Sequence, residues 1–132
     1  MFNLSKTRKM KAKNKIKWLS EPEKQDYVAA TSYLSLIFDE TQTKLFVDEL
    51  EKTKVVEYKA KDIFRASSLS LLGISNKHVQ RDLMKIESGI KLSPILLTRN
   101  SINSKVIIAD GYHRLCAVYS LDEDALIPCK II

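Results

Sequence analysis

Residues 105–132 read KVIIADGYHRLCAVYSLDEDALIPCKII, and the place where this stretch breaks decides the fold. Lys105 to Ala109 is an apolar, β-branched run of strand character that stops at Asp110-Gly111. Beyond the glycine the spacing turns helical. Tyr112, Leu115, Cys116 and Tyr119 share one apolar face, Ala117, Val118 and Leu121 fill much of the rest, and only His113, Arg114 and Ser120 are polar. This predicts a largely buried helix over 112–121 and a closing strand over 127–132. Its polar side chains gather mostly in the first turn, where orphan N–H groups and the positive end of the macrodipole favour anions and disfavour cations by about 0.3–1 kcal/mol. A basic pair at that end needs a compensating anion. Either Asp110, the nearest carboxylate, supplies it, or a phosphate-bearing ligand does, with Gly111 expected to let that ligand approach the backbone.

Working outward, PILLT (94–98) reads as a strand and RNSINS as a polar turn before the strand at 105–109. SNKHVQRDLMKIESG reads as a helix capped by Ser75 or Asn76, with Val79, Leu83 and Ile86 inward and Gly89 as its stop. VVEYKAKDIF (55–64) reads as a strand leading into a short turn, and residues 65–76 as a loop. Nearer the start, Ser20 is the expected cap of a helix whose broad apolar face holds Tyr27, Ala30, Leu34 and Ile37, flanked by Tyr33 and Phe38. A second helix follows, capped by Asp39 or Thr41, with Leu45, Phe46 and Leu50 inward. Two helices ahead of a small mixed sheet with packed helices describe an α+β fold, a single domain over 18–132 with a helical extension at 18–54.

Charge is unevenly placed. The chain of 132 residues has a net charge of +6, yet residues 1–17 carry seven Lys/Arg and no acid. The remainder holds fifteen Lys/Arg against sixteen Asp/Glu and is close to neutral. Residues 1–17 are therefore expected to be a disordered, solvated arm able to touch nucleic acid without sequence preference. Its apolar residues Phe2, Leu4, Met10 and Ile16 lack helical spacing, which speaks against a membrane-surface helix. No apolar run is long enough for a membrane span or a signal peptide, so a cytoplasmic location is expected. Cys116 and Cys129 lack CxxC spacing and sit among apolar neighbours, the pattern of buried free thiols, and no metal site is expected.

SPILLTRNSINSKVIIADGYHRLCAVYSLDEDALIPCKII, with NKHVQRDLMKIESG ahead of it, resembles the N-terminal domain of the ParB/sulfiredoxin superfamily. The shared package is a helix ending in Gly, a Pro-Ile strand, a strand ending in Asp-Gly, an x-His-Arg helix start and an Ile-Pro strand, and the likeness covers residues 55–132. The resemblance implies a small α+β fold that binds nucleotide phosphates at this helix start, with Asp110, Gly111, Tyr112, His113 and Arg114 on the ligand. By the same likeness Arg65, Asn76, His78 and Arg81 converge on it. Such domains include CTP-hydrolysing partition proteins, sulfiredoxins that use ATP, and a free-serine kinase that uses ADP, so the implied cofactor is ATP, ADP or CTP with Mg2+.

Three departures shape the expected activity. Tyr112 stands where sulfiredoxins carry their cysteine, so sulfinic-acid repair is not expected. No Asp or Glu lies between Asp62 and Asp82, where the kinase-like members place a base, and Glu57 is a substitute only if it points into the cleft. The chain stops at Ile132 without the helix-turn-helix of partition proteins, so site-specific operator binding is not expected. The expected function is binding of a nucleotide or phosphorylated small molecule, with hydrolase or phosphotransferase activity left open. The alternative is a non-enzymatic nucleic-acid- or protein-associated factor working through its Lys-rich arm.

Overall fold

The computed structural model describes residues 16–100, 102–103 and 105–132. The basic arm, apart from Ile16 and Lys17, lies outside the described residues, as do Ser101 and Ser104 of the polar turn. The described chain runs α1 (Lys24–Leu34), α2 (Glu40–Lys52), β1 (Val56–Lys59), α3 (Ala60–Ser67), α4 (Lys77–Glu87), β2 (Ile95–Asn100), β3 (Lys105–Asp110), α5 (Tyr112–Leu121) and β4 (Leu126–Ile131). This is the α+β class that the patterning predicts.

The strand order is β1-β4-β2-β3, with β2 and β4 parallel and the outer pairings antiparallel. Ile95, Leu96, Leu97 and Thr98 of β2 are all buried, because this central strand is covered on both faces and its apolar run has no polar side to alternate with. Ile95, Leu97, Ile108, Ile127 and Cys129 pack with Ile63, Leu83, Leu115 and Val118, so α3, α4 and α5 cover one face. Leu96 and Ala109 point the other way, onto Ala30, Leu34, Val47 and Leu50 of α1 and α2. Each fully buried Leu, Ile or Val stabilises by about 1.5–3 kcal/mol relative to its exposure, so both layers hold the sheet.

Polar links reinforce the α1/α2 layer. Lys130 of β4 is 1% exposed, donates to the Glu51 carbonyl oxygen at 3.1 Å and pairs with Glu21 Oε1 at 3.0 Å. Burial works against its charge, but Tyr27 and Glu21 more than offset that and leave its pKa raised. At the chain's entry, Leu92 N–H donates to the Lys17 carbonyl and Leu19 N–H to the Leu92 carbonyl, each at 2.8 Å. Ile16 packs on the larger core cluster beside Trp18, so with Lys17 the fold takes in two residues that charge alone assigns to the arm.

Several boundaries differ from the pattern reading. The first helix starts at Lys24, not after Ser20, because the Asp26 carboxylate accepts from Glu23 N–H at 2.7 Å while Glu21 is drawn to Lys130. It ends at Leu34, leaving Ile37 exposed beyond it. In α2 the buried set is Thr43, Val47 and Leu50, and Leu45 faces solvent. The strand expected to open residues 55–64 is four residues long, since β4 offers partners from Cys129 to Leu126 alone, and a helix takes the place of the expected turn. Residues 60–67 then form α3, burying Ala60, Ile63, Phe64 and Ser67 at helical spacing, which shortens the expected loop to 68–76. The elements at 77–87, 95–100, 105–110, 112–121 and 126–131 fall where the pattern puts them, within two residues at each end.

Candidate functional site

β3 ends at Asp110, and Gly111 turns the chain into α5 with φ 108°, a left-handed conformation that L side chains rarely adopt. A Cβ on Gly111 would lie 2.3 Å from Ile95 Cγ2 and 3.0 Å from Arg114 Nη2. What approaches this glycine closely is therefore the protein's own β2 and Arg114, where the sequence suggested a ligand. Leu115 N–H bonds back to the Gly111 carbonyl at 2.9 Å, and no side chain caps the helix.

The misplaced cations of the first turn are accounted for separately. Arg114 Nη2 donates to Asp110 Oδ2 at 3.0 Å and stands 3.9 Å from Asp26 Oδ1 of α1. Two carboxylates thus flank one largely buried guanidinium, and among the described residues its buried Nε has no hydrogen-bond partner. Burial, opposed by Arg114 and reinforced by Asp26, pushes the Asp110 carboxyl up to about 6. His113 has its pKa lowered, chiefly by burial and next by His78, whose ring centroid lies 4.7 Å away, while Asp82 pulls the other way. Its imidazole is neutral at pH 7, so it offers a donor and an acceptor to the cleft and no cation to the helix dipole.

These groups line a polar cleft of about 160 Å³ between α4 and the start of α5. From α5 come Gly111, Tyr112, His113 and Arg114; from α4 come His78, Arg81, Asp82 and Lys85, with Asp110 between them. Burial raises the Asp82 pKa against the pull of Arg114 and of Lys85, whose Nζ is 3.9 Å away. The groove between α1 and α2 is larger, about 600 Å³, but the cation on its wall, Lys44, is already paired with Asp48 at 3.2 Å.

Seven of the nine residues singled out in the sequence line the cleft: Asp110, Gly111, Tyr112, His113, Arg114, His78 and Arg81. The other two do not. The Asn76 carboxamide oxygen is occupied as the cap of α4, accepting from His78 and Val79 N–H at 2.9 and 3.2 Å. Arg65 is an exposed side chain in the last turn of α3, 3.8 Å from Asp62. Asp82 and Lys85 escaped the sequence reading, although their spacing of four and seven from His78 puts them on the same side of α4. Asp26 had no such signal. Tyr112 donates its hydroxyl to the Ser70 carbonyl and fastens the 68–76 loop across α5. Cys116 is fully buried, and burial pushes its thiol up, so the cleft offers no accessible thiolate. Glu57 is exposed on edge strand β1 and lies outside the cleft lining. No family model, curated protein or solved structure matches this chain.

Proposed function

We propose that the protein binds the phosphate end of a nucleotide in the cleft at the start of α5, as a domain of the ParB/sulfiredoxin-like kind. The observation that carries this reading is the meeting of Arg81 and Lys85 of α4 with His113, Arg114 and the uncapped end of α5 around one polar hollow. Backbone N–H groups, a helix dipole and positioned cations together are what a phosphate requires. The order of helix, strand pair, helix and strand from α4 to β4 supports the family reading.

The residues present also fit Mg2+. Mg2+ takes one or two protein carboxylates and fills its remaining positions with phosphate and water, and Asp82 and Asp110 both face the cleft. Bound with ATP, ADP or CTP, the ion would neutralise phosphate charge. The chain's own part is to orient the phosphate through Arg81 and Lys85. The buried free thiols Cys116 and Cys129 suit a reducing compartment, and the proposal places the protein in the cytoplasm.

Thermal shift with ATP, ADP and CTP, each with and without magnesium, tests the reading. Arg114→Ala is a poor probe, since it leaves Asp26 and Asp110 facing each other. Arg81 is exposed, so Arg81→Ala should keep the parent melting temperature and lose about tenfold in nucleotide affinity. Absence of any nucleotide-dependent shift in the parent protein would overturn the proposal.

A further inference from the structure

The phosphate cleft, at about 160 Å³, is well below the roughly 300–1,000 Å³ of pockets that enclose a drug-sized ligand. It takes a phosphate group and leaves the nucleoside outside. The cleft is not closed on that side, because Arg81 and Lys85 also form a wall of a second hollow of about 480 Å³ that runs along α4 to Ile90.

This groove has a definite chemistry. Lys77, Arg81 and Lys85 recur every fourth residue, so three cations stand in a row along one side of α4, about 6 Å apart in helical rise. That separation is comparable with the spacing of successive phosphates on an extended single strand. Met84 and Ile90, 67% and 52% exposed, give the groove apolar surface of the kind that covers a base face. Gln80 and Ser88 add an amide and a hydroxyl within reach of base edges. Neither acid of α4, Asp82 or Glu87, lines this groove. At its far end Lys17, the last residue of the +7 segment, brings Nζ within 3.9 Å of where a Cβ on Gly89 would stand, so positive charge continues to the root of the arm.

Resting on the phosphate reading of the cleft, we infer that cleft and α4 groove form one continuous site for the end of a single-stranded nucleic acid, its terminal phosphate at the start of α5 and its next nucleotides along α4. A mononucleotide leaves most of the row unused. An acidic polypeptide satisfies the row but brings no terminal phosphate for the cleft. The near-neutral fold thus contributes its own directed contact to nucleic acid, beyond what the arm supplies through charge alone.

Fluorescence anisotropy with the full chain tests this, using a short labelled single strand with a 5′-phosphate, a 3′-phosphate or neither, and a poly-glutamate peptide of similar length. A phosphate at one of the two ends should tighten binding about tenfold or more. Lys77→Glu should weaken the phosphorylated strand about tenfold and lower its log–log salt slope by about 0.7, with the melting temperature unchanged. Neutralising the arm in the full chain (K6Q/R8Q/K9Q/K11Q/K13Q/K15Q) should weaken all strands alike and keep the preference for the terminal phosphate. Equal binding of the three strands, an unaffected Lys77→Glu, a preference lost with the arm charges, or equal binding of poly-glutamate each overturns the inference. Thermal shift of the parent with Mg–ATP and with pyrophosphate separates the two levels. A shift without end preference removes only the strand site, whereas no shift with either removes the phosphate cleft and the strand site together.

Discussion

Arg114 occupies the position that anions prefer, and two carboxylates from two layers make that tolerable. Asp110 is its neighbour in sequence and could be named from the motif, but Asp26 lies 88 positions earlier and carries no local signal, since an Asp near a helix start reads as a cap. Only the packing of α1 on β3 brings it in, so the sequence yielded half of Arg114's anionic shell. The Asp110 carboxyl titrates near 6 in the fold, against 3.8 as the ordinary value, with Arg114 and Asp26 as the charged groups facing it. Between those limits the folded state holds more protons than the unfolded one, so this group's contribution to stability is largest at low pH and is lost as pH rises through about 6. Urea melts from about pH 4 to pH 7 should show the parent losing up to about 3 kcal/mol from this source, and Asp110→Asn should lack that fall. Parallel curves for the two proteins would remove the assignment. His113 has the opposite sign: its lowered pKa makes stability fall as pH drops through the ordinary histidine range. An NMR titration should find it below 6.5, and a midpoint above that value would contradict the burial described.

Among the elements, those with a strict apolar period and a clear stop were legible: α4 between Asn76 and Gly89, and α5 between Gly111 and Asp122. α3 was hidden because VVEYKAKDIF carries both periods, alternation at its start and helical spacing at its end, and the length of β4 decides where one gives way to the other. α1 was found with its inner face in place, Ala30 and Leu34 buried and Tyr27 packed beside them, whereas α2 was found rotated, because Leu45, which a period count assigns inward, faces solvent and Val47 is buried instead. The buried Lys130 was not foreseeable either, since a lysine within an apolar strand reads as a solvent-facing position until α2 ends above it. Its aliphatic stem is buried with the rest of the side chain, while its ammonium stands 5.7 Å from the Tyr27 ring centroid and serves the Glu51 carbonyl. Lys130→Ala should therefore cost about 2–4 kcal/mol in chemical denaturation, the sum of a cavity and an unserved carbonyl. Glu21→Gln removes only a half-exposed ion pair and should cost less than about 1 kcal/mol. Similar losses in the two variants would mean that the ion pair, and not the buried stem, fastens the layer.

At the scale of the whole molecule, residues 55–132 carry the family resemblance, but they do not close a core of their own. Leu96 and Ala109 would face water without α1 and α2, Lys130 would lose the Glu51 carbonyl, and Arg114 would lose Asp26. A buried sheet face, a buried lysine and the candidate site all reach across the boundary at residue 54, so the extension and the sheet should unfold together. The chain supplies its own reporter: Trp18, its single tryptophan, sits beside Leu92 on the larger cluster, whereas far-UV dichroism reports all five helices described, including α1 and α2 on the opposite face. Followed by these two signals, urea denaturation should give one midpoint and one slope. Val47→Ala, placed in the smaller cluster, should lower both midpoints equally, by about 1–3 kcal/mol in stability. If dichroism is lost ahead of the tryptophan signal, or Val47→Ala moves only the dichroism midpoint, the helical extension is a separate cooperative unit and its link to Arg114 does not govern the cleft.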